Sequence, residues 1–219
     1  MGKKVGVILS GCGYLDGSEI HEAVLTLYFL DKAGAEIVCL APDKEQADVV
    51  DHVAGRPSPE KRGVMAESAR IARGKIRDVA KVSAADLDAV VIPGGFGAAK
   101  NLCTFAKDGP NCQVDHGVAR LLRDLHSSKK PIGALCIAPA LVAKLFGADH
   151  KAQVTIGNDK GTGEAIVKMG ATHVDKAAVD IHVDEANKIV TSPCYMLARG
   201  PADVGAGVEK LVARILKMA

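Results

Sequence analysis

Short apolar runs alternate with longer stretches of helical period along most of the chain. Residues 4–10 form an apolar run of strand length. Residues 19–33 follow at helical spacing, with Ala23, Leu27 and Leu30 on one face and Val24 and Tyr28 beside them. Ser18 is the expected N-cap of that helix and Gly34 its stop. The pattern then predicts strands over residues 36–41 and 87–93, the second stopping at Gly94-Gly95-Phe96-Gly97. A helix is predicted over 118–127, and a strand over 133–136 that turns directly into a helical stretch from Ala138. Residues 154–156 are β-like, 162–169 are helical up to Gly170, and 201–218 form the last helix. Residues 181–183 and 189–192 enclose Asp184-Glu185-Ala186-Asn187, a hairpin signal. The more polar stretch 43–78 is expected as an insertion or lid, with a helix over 64–73, inside a single domain spanning residues 1–219.

Alternating strands and helices imply an α/β fold, a mostly parallel sheet with helices on both faces joined by right-handed crossovers. Ligands of such sheets bind beyond the carboxyl ends of the strands. Gly11-Cys12-Gly13, Gly94-Gly95 and Cys136 all fall there, so one constellation is expected. Cys136 carries it. A cysteine on a strand-to-helix turn is a nucleophile elbow, and the following helix N-terminus is expected to lower its pKa. The Gly94-Gly95 turn and the Ile137 N–H are the expected oxyanion donors. Glu22, one turn into the first helix, is placed to reach the sulfur; if buried there its pKa would rise and it could carry a proton. Cys12, Gly13 and Asn101 are expected as cleft neighbours, with a Cys12–Cys136 disulfide an open question of geometry. Glu19 is expected only as a helix-dipole partner, and His21 should point away from Glu22.

Composition narrows the function classes. Aromatics are only 3% of the 219 residues and Trp is absent, so the core must be Val, Ile, Leu and Ala, which suits a covered parallel sheet. A net charge of +2 without an aromatic-basic surface argues against nucleic acid as partner. No apolar run approaches the roughly 20 residues of a membrane span. The six cysteines lack C-x-x-C spacing and accompanying His pairs, so no metal site is expected. Scattered thiols suit a reducing compartment, and a cytoplasmic location is expected. Gly11-Cys12-Gly13-Tyr14-Leu15-Asp16 falls short of a dinucleotide fingerprint, because Asp16 stands where the third glycine belongs.

Several strings resemble the PfpI/ThiJ superfamily, whose fold resembles class I glutamine amidotransferase domains. They are Leu9-Ser10-Gly11-Cys12-Gly13, Asp16-Gly17-Ser18-Glu19-Ile20-His21-Glu22-Ala23, Pro93 to Leu102, and Cys136-Ile137-Ala138-Pro139. More narrowly the chain resembles the ElbB glyoxalase-like group, also called enhancing lycopene biosynthesis or sigma cross-reacting proteins. The resemblance implies a flavodoxin-like three-layer sandwich, Cys136 as nucleophile, Glu22 as its carboxyl partner, an oxyanion site at Gly95, and a homodimer. It also implies a histidine near Gly157, which this sequence lacks; that departure argues against peptidase, amidase and ammonia-releasing chemistry. The implied activity is cofactor-free conversion of glyoxal, or another small aldehyde or dicarbonyl, to a 2-hydroxy acid. Two alternatives stand beside it: a redox-sensing or partner-binding protein, linked to isoprenoid biosynthesis, and an amidotransferase-like subunit.

Overall fold

A computed structural model describes residues 2–219. Its centre is a seven-stranded sheet formed by β1 (Lys4–Ile8), β2 (Glu36–Ala41), β5 (Ile76–Asp78), β6 (Ala89–Ile92), β7 (Ile132–Leu135), β10 (His182–Asp184) and β11 (Ile189–Ser192). The strand order is β10-β11-β7-β6-β1-β2-β5, and every pairing is parallel except β10 with β11. Two short ribbons lie outside it, β3 (Val49–Asp51) with β4 (Arg56–Ser58), and β8 (Gln153–Val154) with β9 (Thr172–His173). The helices are α1 (Ile20–Lys32), α2 (Val64–Ile71), α3 (Phe96–Lys100), α4 (Phe105–Asp108), α5 (His116–Ser127), α6 (Pro139–His150), α7 (Lys160–Lys168) and α8 (Pro201–Met218).

The period-2 alternation of the strands divides the interior into two apolar layers. Val5, Val7, Ala89 and Val91 face the side covered by α1 and α8, where Leu30, Val208, Leu211 and Ile215 are buried. Ile8, Leu40, Val90, Ile92, Ile132 and Ala134 face the other side, under α5 and α6. Gly133 sits where a Cβ would lie 2.9 Å from Leu211 Cδ2, so the glycine lets α8 approach β7 closely. The resulting α/β/α sandwich with its mostly parallel sheet is the architecture expected from the sequence.

Some local details differ. Glu19, not Ser18, caps α1: its Oε2 accepts the Glu22 N–H at 2.8 Å. The Ser18 Oγ is buried and engaged by the Ser10 N–H at 2.9 Å, so it has no freedom to cap. The buried face of α1 is Glu22, Ala23, Thr26 and Leu30, which leaves Val24 and Tyr28 exposed to solvent. The 43–78 stretch contributes the β3–β4 hairpin and α2, and its last residues form β5 at the edge of the main sheet. No helix among the described residues is long and apolar enough to cross a membrane.

Candidate active site

β7 ends at Leu135, and Cys136 takes the left-handed backbone conformation, φ 58°, before α6 begins at Pro139. Its N–H donates to Ser192 O at 2.9 Å, which ties the elbow to the end of β11. The thiol is buried, close to the Glu22 carboxyl and the Gly95 backbone.

Glu22 is fully buried on α1, and two backbone donors converge on its carboxyl. Gly94 N–H reaches Oε2 at 2.8 Å and Tyr195 N–H reaches Oε1 at 3.2 Å, with the Cys136 thiol close by. Burial nevertheless pushes the carboxyl up to about 8, and the Glu19 charge adds to the rise; the N–H donors only partly oppose it. Burial and the Glu22 charge likewise push the Cys136 thiol well above its ordinary value. The expected helix-dipole lowering of the thiol is therefore overruled. The sulfur is out of water beside a carboxylate, and Pro139 at the first helical position supplies no N–H.

The pairing depends on glycine. A Cβ on Gly94 would lie 2.5 Å from Cys136 Cβ and 2.9 Å from Leu135 O. Gly95 has φ 89°, and a Cβ there would meet the backbone of Gly17 and Glu19. These close approaches join the loop after β6 to the loop before α1: Glu19 N–H donates to Gly94 O at 2.9 Å, Phe96 N–H to Tyr14 O at 2.7 Å, and Gly97 N–H to Gly17 O at 2.9 Å. Gly94, expected as an oxyanion donor, is instead engaged by Glu22. The Gly95 and Ile137 N–H groups meet no backbone acceptor among the described residues, and both residues line the cavity over Cys136.

Three expected cleft neighbours lie elsewhere. Cys12 faces α2, where burial and the Glu67 charge raise its pKa, and it does not line the Cys136 cavity. All six cysteines are free thiols, so no Cys12–Cys136 disulfide forms. Gly13 packs against His52 of the hairpin loop, with no room for a Cβ. Asn101 is a buried latch: its Nδ2 donates to Ser10 O at 2.9 Å and Asp16 O at 2.8 Å, and its Oδ1 accepts the Ala47 N–H at 2.8 Å. Replacing Asn101 with Ala leaves those three backbone groups unpaired. A loss of about 3 kcal/mol is expected in urea denaturation; a loss below about 0.5 kcal/mol would mean water replaces the side chain.

The position where the resemblance places a histidine is built for glycine. Gly157 has φ 99°, and a Cβ there would lie 2.7 Å from Leu197 Cδ1. Tyr195 was not foreseen: its backbone holds Glu22 and its hydroxyl pairs with His21 Nδ1 at 2.6 Å. Its position after β11 was the available signal, because β11 pairs in parallel with β7 and ends at the same edge. Tyr14, Phe96 and Phe105 were also missed as cavity walls.

The DJ-1/PfpI family model matches residues 12–198, which include both Glu22 and Cys136. The chain belongs to the DJ-1/PfpI family. Within the family it is 47% identical to the human glutamine amidotransferase-like class 1 domain-containing protein 3, mitochondrial, over 98% of this chain and 83% of the relative. It is 46% identical to the rat ES1 protein homolog, mitochondrial, over 98% of this chain and 84% of the relative. A solved structure of an isoprenoid biosynthesis protein with amidotransferase-like domain, from Ehrlichia chaffeensis, superposes with a TM-score of 0.93 at 38% identity, covering 99% of each chain. Drosophila melanogaster DJ-1beta, at 21% identity and a TM-score of 0.55 over 100% of this chain and 96% of that one, shares the fold. The cytoplasmic expectation is overturned here: these curated relatives, and an ES1 protein from Danio rerio, are all named mitochondrial. Scattered thiols indicate a reducing environment and do not distinguish between reducing compartments.

Proposed function

We propose that this DJ-1/PfpI protein converts glyoxal or a related dicarbonyl to a 2-hydroxy acid without a cofactor. The observation that carries the reading is the buried Glu22 carboxyl, held by two backbone N–H groups and lying beside Cys136 across Gly94. A nucleophile that rests as a thiol needs a base at the moment of attack, and a carboxyl near pH 8 in contact with it is matched to that task.

Sulfur adds to one aldehyde carbon, and the thiol proton passes through Glu22 to the carbonyl oxygen, giving a hemithioacetal. Glu22 then removes the C–H proton of that carbon and returns it to the neighbouring carbon through an enediol. The product is a thioester of the 2-hydroxy acid, and water hydrolyses it to free the thiol. The sequence is an internal redox isomerisation followed by hydrolysis, so electrons balance without an external oxidant or reductant. The Gly95 and Ile137 N–H groups are the donors available to each oxyanion.

The two other readings have less support. Redox-sensing cysteines are exposed and of low pKa, whereas Cys136 is buried and its pKa is raised. An amidotransferase needs a base at the position Gly157 occupies, where the φ of 99° strains any residue with a side chain. The test is glycolate formation from glyoxal by the purified protein in metal-free, thiol-free buffer, followed by NMR. Turnover that the Cys136→Ala protein lacks is expected; equal rates in the two proteins would sink the reading.

A further inference from the structure

The chain has only three tyrosines and four phenylalanines. Four of these seven, Tyr14, Phe96, Phe105 and Tyr195, line the cavity over Cys136, with Ile137 and Met196 beside them. The core does not draw on them: Phe146 is the one aromatic among the largest fully buried side chains. Tyr14 and Phe96 are 51% and 49% exposed, so broad apolar ring surface stands uncovered at the mouth. The cavity has a volume of about 480 Å3, within the range of sites for organic ligands and far larger than glyoxal fills.

Charge narrows the ligand further. The ionisable carboxylates on the lining are Glu19 and Asp159, and among the described residues no lysine, arginine or histidine lines the cavity. A phosphate or carboxylate on the ligand would be repelled with no counter-charge to offset it. The walls are also fixed in place. Tyr14 meets His52 edge-on at a centroid distance of 5.5 Å, and the Lys100 ammonium lies 5.8 Å from the centre of the Phe96 ring. The Phe96 backbone is held by Tyr14 O.

We propose that the substrate is a neutral α-oxoaldehyde with an aromatic or extended apolar body, its aldehyde carbon at Cys136 and its body against Tyr14, Phe96 and Phe105. The carbonyl part of this assignment rests on the Cys136–Glu22 reading above, and the apolar body rests on the walls alone. The chemistry is unchanged. Sulfur adds to the aldehyde, the C–H proton moves to the adjacent ketone carbon through Glu22, and water releases the 2-hydroxy acid; phenylglyoxal plus water gives mandelate.

Two measurements test it. Steady-state kinetics with phenylglyoxal and methylglyoxal should give a KM at least about tenfold lower for the aryl compound, from burial of the ring. The Phe96→Ala and Phe105→Ala double variant should lower the aryl-to-methyl ratio of kcat/KM by at least about tenfold. Calorimetric titration of the Cys136→Ala protein with acetophenone, which cannot turn over, should be saturable, and adding Phe96→Ala should weaken it by a similar factor. Absence of saturable acetophenone binding, or a KM no lower for phenylglyoxal, overturns the proposal. Acetophenone binding without turnover of any aldehyde would remove the glyoxalase reading and leave the ligand class standing.

Discussion

Glu22→Gln is expected to lower glyoxal turnover by about 10³-fold and to remove the loss of stability that Glu22 ionisation causes as pH rises. The first effect follows from losing the group that moves both protons, since acid–base catalysis contributes roughly 10²- to 10⁴-fold. The second follows from linkage. The Glu22 carboxyl lies at about 8 in the folded chain against 4.5 for the free group, so between those values the folded state holds a proton that the unfolded state has released. Stability contributed by the neutral carboxyl is fully present below about pH 4.5 and is lost as pH rises through about 8. At 1.36 kcal/mol per unit the change is on the order of 5 kcal/mol. Glutamine cannot ionise, so the parent's urea midpoint should fall relative to the variant's steadily from pH 5 to pH 8. His126 and His182, whose pKa values are depressed by burial, titrate in both proteins and cancel in the comparison. Parallel pH curves for the two proteins would refute the assignment. Wild-type turnover should rise toward pH 8, as Glu22 becomes free to accept the thiol proton.

Gly94→Ala is expected to cost about 3 kcal/mol or more and to lower turnover by at least about 10². The added methyl has nowhere to go, being 2.5 Å from Cys136 Cβ, 2.8 Å from Glu22 Oε2 and 2.9 Å from Leu135 O. The backbone cannot retreat, because the Gly94 N–H holds Glu22 and its C=O accepts the Glu19 N–H. Gly205→Ala in α8 is the contrast: its Cβ would come no nearer than 3.9 Å to Leu25, and helix propensity alone predicts a gain of about 1 kcal/mol. Equal effects at the two glycines, measured by denaturation, would show that crowding at Gly94 is relieved by movement.

The parts of the fold legible from the sequence were those with strong local patterning. β2, β11 and α8 are found at the predicted bounds, because apolar runs of strand length and a long amphipathic stretch carry their own period. β5 could not be read, since Ile76-Arg77-Asp78 holds a single apolar residue and exists as a strand only through pairing with β2. At the site, Cys136 and Glu22 were legible because strand ends in a parallel sheet converge. Cys12 and Asn101 were drawn in by the same rule, but their loops turn toward α2 and the β3–β4 hairpin. Tyr195 and the aromatic walls were not legible, because they come from separate loops and meet only after β11 has docked on β7.

The left-handed backbone at Cys136 has one more consequence. A side chain forced into that conformation costs about 1–2 kcal/mol, and here it is fixed by the hydrogen bond to Ser192 O and by strands on both sides. That cost is met during folding, so an arriving ligand finds the sulfur already set at the floor of the cavity. Relatives that keep the elbow have their scope to diversify in the side chains that frame it, since the backbone beneath is already committed.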